Sequence, residues 1–235
     1  MEKIVFVFGR KDGLTPEEFR GHYLEVHAPL ALRSMRTAHR YVVNLPDVDA
    51  GRDNTQAPPP FDAITELTVE SAGDFFNPAV AFVSEEAGNA MLADHASFIG
   101  DMHAYLVEER VVKEYDRTWG AGERSPGVKY VSLIRRAPGL TREQMDEHWR
   151  ERHVPIALEH HGGMWKYVQN VVREPLTPDA PEIDGVAEMH FPTLEDFQER
   201  FFTPPESKDF VLEDASRFLE LSGLRYPLGE YVQLG

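Results

Sequence analysis

The sequence contains no cysteine. That excludes disulfide bridges, thiolate nucleophiles, iron–sulfur clusters and cysteine-ligated zinc. Basic residues are scarce: 24 Lys and Arg stand against 40 Asp and Glu, a formal net charge of −16. Binding nucleic-acid phosphate needs a basic surface that displaces counterions, so no nucleic acid is expected as a partner, nor an anionic membrane. No apolar run approaches the roughly 20 residues of a membrane span. The N-terminal stretch MEKIVFVFGRK is too briefly apolar for a signal peptide and reads as a first strand. A cytoplasmic location is the resulting expectation.

What is present suits a globular protein. Hydrophobic residues make up 42% and charged residues 27% of 235 positions, enough for a sizeable core in one large domain or two small ones.

Repetition decides between them. GLTPEEFRGHYLEVHAPLAL (Gly13 to Leu32) and GLTREQMDEHWRERHVPIAL (Gly139 to Leu158) share ten identities in twenty positions at an offset of 126. YVVN from Tyr41 faces YVQN from Tyr167 in the same register. At an offset of 122, Asp62 and Glu66 match Asp184 and Glu188, and Asp74–Phe75 matches Asp196–Phe197. At 120, LADHASF from Leu92 matches LEDASRF from Leu212, aligning Asp94 with Asp214.

Each copy reads strand, helix, strand, strand, helix, strand. IVFVF and KYVSLIRR are rich in β-branched and aromatic residues and open the copies. Thr15 with Glu18, and Thr141 with Gln144, have the spacing of a capping box, and Pro16 suits a first helical turn. RYVVNL and KYVQNVV are second strands, DAITELTV and DGVAEMHF third strands, and YLVEERVVKEY and YPLGEYVQL the last. The second helical stretch breaks near FFNPAV and FFTPPE. The fold class expected is α+β: two tandem ferredoxin-like βαββαβ repeats packing sheet to sheet as an intrachain α+β barrel. The units are 1–116 and 127–235, with RTWGAGERSP at 117–126 as linker. The Pro-rich loops PDVDAGRDNTQAPPP and REPLTPDAPE are expected to flank a cavity mouth.

On a wheel of 100° per residue, Phe19, Tyr23, Val26 and Leu30 form one apolar stripe, as do Met145, Trp149 and Ile156. His22 and His27 fall about 140° apart on opposite sides of it, as do His148 and His153. That spacing is poor for one metal, and adjacent His160 and His161 diverge, so no metal is expected. His27 and His153 precede Ala-Pro and Val-Pro, which places them at the end of a helical stretch, where the dipole favours a cationic imidazole. They are the candidate acid–base residues. The bland alternative is a histidine that stiffens a helix end. His22 and His148 are expected to face solvent.

Tyr23, Trp149, Trp165, Tyr41 and Tyr167 are candidate substrate contacts or core, and Asn44 and Asn170 ligand partners or satisfiers of a strand edge. Glu66 and Glu188 would sit inside a sheet, where a carboxylate must be paired or shifted in pKa. They would take a proton, orient a histidine, or form a salt bridge, for example to Arg10 or Arg136. Asp94 and Asp214 read either as helix caps or as partners of the first-helix histidines. The copies also differ: His39 becomes Trp165, His95 becomes Ala215, and Ser34 becomes His160. The second copy is locally richer, with His153, His160, His161, Trp149 and Trp165, and is the favoured working half.

The paired GLT…H…H motifs, the DF element and the βαββαβ order resemble the EthD-domain family of the dimeric α+β barrel superfamily, across nearly all of both copies. The resemblance implies a barrel that relatives often build from two chains and that one chain supplies here, though a homodimer stays open. The superfamily holds cofactor-free anthrone oxygenases, polyketide cyclases, muconolactone isomerases, dehydratases and haem-binding branches, so fold kinship leaves the reaction open. The leading expectation is an enzyme without metal, nucleotide or other cofactor, acting by proton transfer on a hydrophobic, aromatic or polyketide-like small molecule. His153 or His27 would be acid or base, with Tyr167, Asn170 and Glu188, or Tyr41, Asn44 and Glu66, positioning substrate or imidazole. The alternatives are an anthrone-type monooxygenase and a non-catalytic ligand-binding protein.

Overall fold

A computed structural model describes residues 1–47, 60–115, 120–221 and 225–234. Most of the loop PDVDAGRDNTQAPPP and the start of the expected linker, with the boundary at 116, lie outside the described residues.

The strands are β1 (Glu2–Arg10), β2 (Ala38–Pro46), β3 (Ala63–Val69), β4 (Ile99–Lys113), β5 (Val128–Ile134), β6 (Lys166–Pro175), β7 (Gly185–Phe191) and β8 (Arg225–Leu234). They close into one antiparallel barrel in the order β1-β3-β2-β8-β5-β7-β6-β4. The first four strands and the last four meet at two seams. Asn44 pairs with Glu230 across β2 and β8, and Glu109 with Asn170 across β4 and β6. Closure leaves none of these strands with an open edge. β4 starts six residues before the expected YLVEERVVKEY, because Ile99 pairs with Arg10 beyond a register shift in β1. Gly100 allows that approach: a Cβ there would lie 2.7 Å from the Arg10 carbonyl oxygen.

Alternation along each strand sorts side chains to two faces. Val5, Ile64, Val107, Val131, Val186 and Leu228 pack inside the barrel. Ile4, Phe6, Phe8, Tyr41 and Val43 face outward under the helices of the first half, and Tyr130, Tyr167, Met189 and Phe191 under those of the second. No described helix is long and apolar enough to cross a membrane.

The first long helix of each half has three parts. In the first half, α1 (Pro16–His22) runs into a π-helical turn (Tyr23–His27) and then α2 (Ala28–Ser34). Three more helices precede β4: α3 (Ala72–Phe75), α4 (Pro78–Ala81) and α5 (Glu85–Phe98). In the second half, α6 (Arg142–His148) passes through a π turn (Trp149–His153) to α7 (Val154–His160), followed later by α8 (Leu194–Glu199) and α9 (Ser207–Ser216). Both capping boxes form: the Thr15 and Thr141 hydroxyls accept from the backbone N–H of Glu18 and Gln144, whose side chains accept in return.

Candidate active site

The π turns explain why the histidines do not sit where a regular helix would put them. Pro29 and Pro155 have no N–H to donate, and their rings crowd the carbonyl four residues back. The backbone widens just before each. Ala28 N–H donates to Tyr23 O and Val154 N–H to Trp149 O, five residues back rather than four. Across such a turn, residues five apart share a face. This corrects the wheel: His22 and His27 lie on one side, and so do His148 and His153. Val26, expected in the apolar stripe, is pushed out to 46% exposure. The helix also continues past each proline to Ser34 and His160, so neither His27 nor His153 stands at a helix C-terminus. The dipole argument for a cationic imidazole therefore does not apply to them.

Each pair of histidines grips one aspartate. His27 Nδ1 donates to Asp94 Oδ2 at 2.7 Å, and His22 Nε2 bonds Asp94 Oδ1 at 2.7 Å. In the second half His153 Nδ1 bonds Asp214 Oδ2 at 2.8 Å and His148 Nε2 bonds Asp214 Oδ1 at 3.0 Å. His22 and His148 are thus half-buried clamp members rather than free in solvent. Burial raises the carboxyl pKa of both aspartates, but the imidazole hydrogen bonds outweigh it and hold each below the usual range. Burial lowers the pKa of His27, and Asp94 only partly restores it. Among the described residues nothing hydrogen-bonds His27 Nε2.

Among the described residues, a third imidazole stands beside the clamp of the first half. His95, half-buried on α5, has its ring centroid 4.9 Å from that of His27. Burial, and then the neighbouring His27, hold its pKa down at about 4. Ala215 occupies the matching place in the second half.

The candidate aromatic residues form the walls between sheet and helices. The Tyr23 hydroxyl bonds Thr65 Oγ1 at 2.6 Å. Trp149 Nε1 donates to the Tyr167 hydroxyl at 2.8 Å. The side chains of Tyr23, Tyr41, Trp149 and Tyr167 are fully buried. Trp165 lies apart from them, stacked on Tyr115 with centroids 4.5 Å apart.

Glu66, Glu188, Asn44 and Asn170 are on the opposite face of the sheet, inside the barrel, and so cannot orient a first-helix histidine. Lys3 Nζ contacts Glu66 at 2.7 Å and Glu188 at 3.5 Å. Lys129 Nζ contacts Glu188 at 2.8 Å and also Glu66, which closes a four-membered ring of charges. Asn44 Nδ2 donates to Glu66 Oε1 at 2.9 Å, and Asn170 Nδ2 donates to Glu188. Glu109 and Glu230 bind the outer sides of Lys3 and Lys129. Although burial raises both ring carboxyls, the lysines prevail: Glu66 falls to about 2 and Glu188 well below its ordinary value. Despite burial, the glutamates hold both amines protonated beyond the ordinary lysine range, so neither is a neutral nucleophile. The expected partners, Arg10 and Arg136, bind Asp62 and Asp184 instead. Lys3 and Lys129 were absent from the candidates. Their signal was legible: each is a charge at matching copies, in alternation with Val5 and Val7 or Val131 and Leu133.

Among the described residues no three His, Asp or Glu side chains converge as a metal-binding group. What the outer site offers is an imidazole with a fixed tautomer. Asp94 accepts a hydrogen bond from the Nδ1–H of His27, which leaves the lone pair on Nε2.

Solved structures of similar fold span nearly the whole chain. An anthrone oxidase-like protein superposes with a TM-score of 0.64 at 8% identity, covering 99% of this chain and 93% of its own. A protein from Fusobacterium nucleatum, provisionally assigned as a monooxygenase, gives 0.58 at 9% identity over 98% and 93%. A protein from Lactobacillus acidophilus with the same provisional assignment gives 0.54 at 9% identity over 99% and 96%. A comparison with curated proteins finds no match. The EthD domain model matches twice, at residues 11–101 and 137–222, each match containing one complete histidine–aspartate clamp. The chain belongs to the EthD domain family.

Proposed function

We propose that the chain is two tandem copies of one βαββαβ unit and works as a cofactor-independent enzyme on a hydrophobic, aromatic or polyketide-like small molecule. Its chemistry is proton transfer of lyase, isomerase or dehydratase/cyclase type. The observation that carries this reading is the buried His27, pinned by Asp94 through Nδ1 with Nε2 unengaged among the described residues. Its lowered pKa keeps the ring neutral near pH 7, so Nε2 accepts a proton from substrate and Asp94 stabilises the imidazolium until the proton is returned. His153 on Asp214 is the counterpart in the second copy. Tyr23, Tyr41, Trp149 and Tyr167 supply the apolar wall, while Glu66, Glu188, Asn44 and Asn170 hold the barrel together.

The test is turnover of a panel of aromatic and polyketide-like compounds by His27→Asn, His153→Asn and the double variant. Rate losses of about 100-fold or more are expected in at least one single variant and in the double. Full activity in the double variant would overturn the proposal. Oxygen consumption during turnover separates a proton-transfer enzyme from an anthrone-type oxygenase.

A second reading also has an observation behind it. Tyr23, Tyr41, Trp149 and Tyr167 fill the space between sheet and helices, and the clamp recurs where, among the described residues, no third imidazole accompanies it. On that reading the histidines latch a widened helix to its neighbour, and the protein binds rather than converts its ligand.

A further inference from the structure

The two halves share the clamp but not what stands beside it. In the first half the His27 ring lies 4.9 Å from His95 and 5.1 Å from Phe98, and His95 lies 6.5 Å from Phe8. In the second half His153 packs on Phe218 at 5.0 Å, and a buried Ala215 stands where the second imidazole would be.

We propose that the first half is the working one, and that His27 and His95 together enolise an apolar carbonyl compound; this rests on the acid–base reading above. His27 Nε2 removes a proton from the carbon next to the carbonyl. The C–H bond breaks, an N–H bond forms, and the electron pair moves onto the carbonyl oxygen. His95, a neutral imidazole, donates its N–H to that oxygen. Return of the proton to another carbon, or to the oxygen, completes an isomerisation that needs no oxidant or reductant.

The division of roles follows from the surroundings. Asp94 supports a positive charge on His27 and touches His95 only at a distance, so His27 is the stronger base of the pair. Two imidazolium ions at this separation repel, so His95 stays neutral as His27 takes the proton. A neutral N–H donor placed at a developing enolate oxygen stabilises it by hydrogen bonding. His27 is only 3% exposed and His95 half-buried, so on this proposal substrate approaches from the side of His95. The flanking Phe8 and Phe98 rings favour an aromatic ketone over a charged keto acid.

The experiment is proton exchange. Anthrone and 1-tetralone are incubated with the full-length protein in D2O without oxygen, and deuterium entering the carbon next to the carbonyl is followed by NMR. Wild-type protein should exchange at least one probe faster than buffer. His27→Asn and His95→Ala should each lower that rate about 100-fold. His95→Gln, which restores a neutral N–H donor, should recover most of the loss. The exposed His39→Gln should match wild type, and thermal melts should show each variant folded. Three results would overturn the inference: no exchange by wild type, exchange that survives His95→Ala, or exchange lost only in His153→Asn. The first and third leave the general acid–base reading standing on its own turnover test, whereas full turnover in the His27→Asn/His153→Asn double variant removes both.

Discussion

The first and second halves solve the same packing problem with different atoms. Under the π turn, the first half places Tyr23 over Ala63 and Thr65, while the second places Trp149 over Gly185 and Ala187. The larger ring is matched by the smaller strand residue: a Cβ on Gly185 would lie 2.7 Å from the Trp149 ring. The polar atoms are exchanged too. The Tyr23 hydroxyl finds Thr65, and the Trp149 indole N–H finds Tyr167, so Ala187 need offer nothing. The clamp on Asp94 or Asp214 is kept through this exchange. The difference teaches that clamp geometry is set by the π turn and its proline, whereas what lies under it varies freely as long as volume and hydrogen bonds balance.

The largest expected contrast between the halves lies in the barrel. Lys129 is enclosed by Glu66, Glu188 and Glu230, while Lys3 shares Glu109, whose side chain is 31% exposed. Lys129→Met strands buried carboxylates and should cost about 3–5 kcal/mol. Lys3→Met should cost less, because water reaches Glu109. Urea unfolding of the two variants checks the order, and equal losses would break this contrast.

Next in size is the Trp149–Gly185 match. Gly185→Ala should cost about 1–3 kcal/mol by overpacking. Trp149→Tyr in the same chain should return part of that loss, because it recreates the pairing of the first half. Additive losses in the double variant would mean that the ring and the strand position are not coupled.

The smallest expected difference sharpens the comparison by near-identity. Asp94 and Asp214 both have lowered pKa values in the folded state, as has Glu66 at about 2. A depressed carboxyl stabilises the fold above its unfolded pKa of roughly 4 and loses that contribution as pH falls through the folded value. Melting temperature should therefore drop on acidification below about pH 4. Asp94→Asn and Asp214→Asn should flatten that drop to a similar extent. A marked difference between them would show that the clamps are not equivalent in stability.

Much of the fold was legible because hydrophobic alternation and capping are local. IVFVF, RYVVNL and DAITELTV declare their strands, and Thr15 with Glu18 declares a helix start. The candidate site was only half legible. Asp94 and Asp214 aligned with each other in the repeat, which left a helix cap and a histidine partner equally readable. The site's geometry was not, because 100° per residue is the wrong rotation across a π turn, and the turn is a backbone response to Pro29 and Pro155. Glu66 and Asn44 matched across copies just as the histidines did, but matching alone does not reveal which face of a sheet a residue occupies relative to another element.

By itself the sequence determined the α+β character, the paired motifs, the helix caps and the recurrence of a histidine pair and an aspartate in each copy. Those depend on neighbours within a few residues or on comparison of one copy with the other. Only the tertiary structure decided that the histidines converge, that His95 joins His27 in the first half, and that the glutamates belong to a ring of charges inside the barrel. Those depend on which surfaces closure brings face to face. Barrel closure turns one side of every strand inward, and burial there pairs Lys3 and Lys129 with the glutamates.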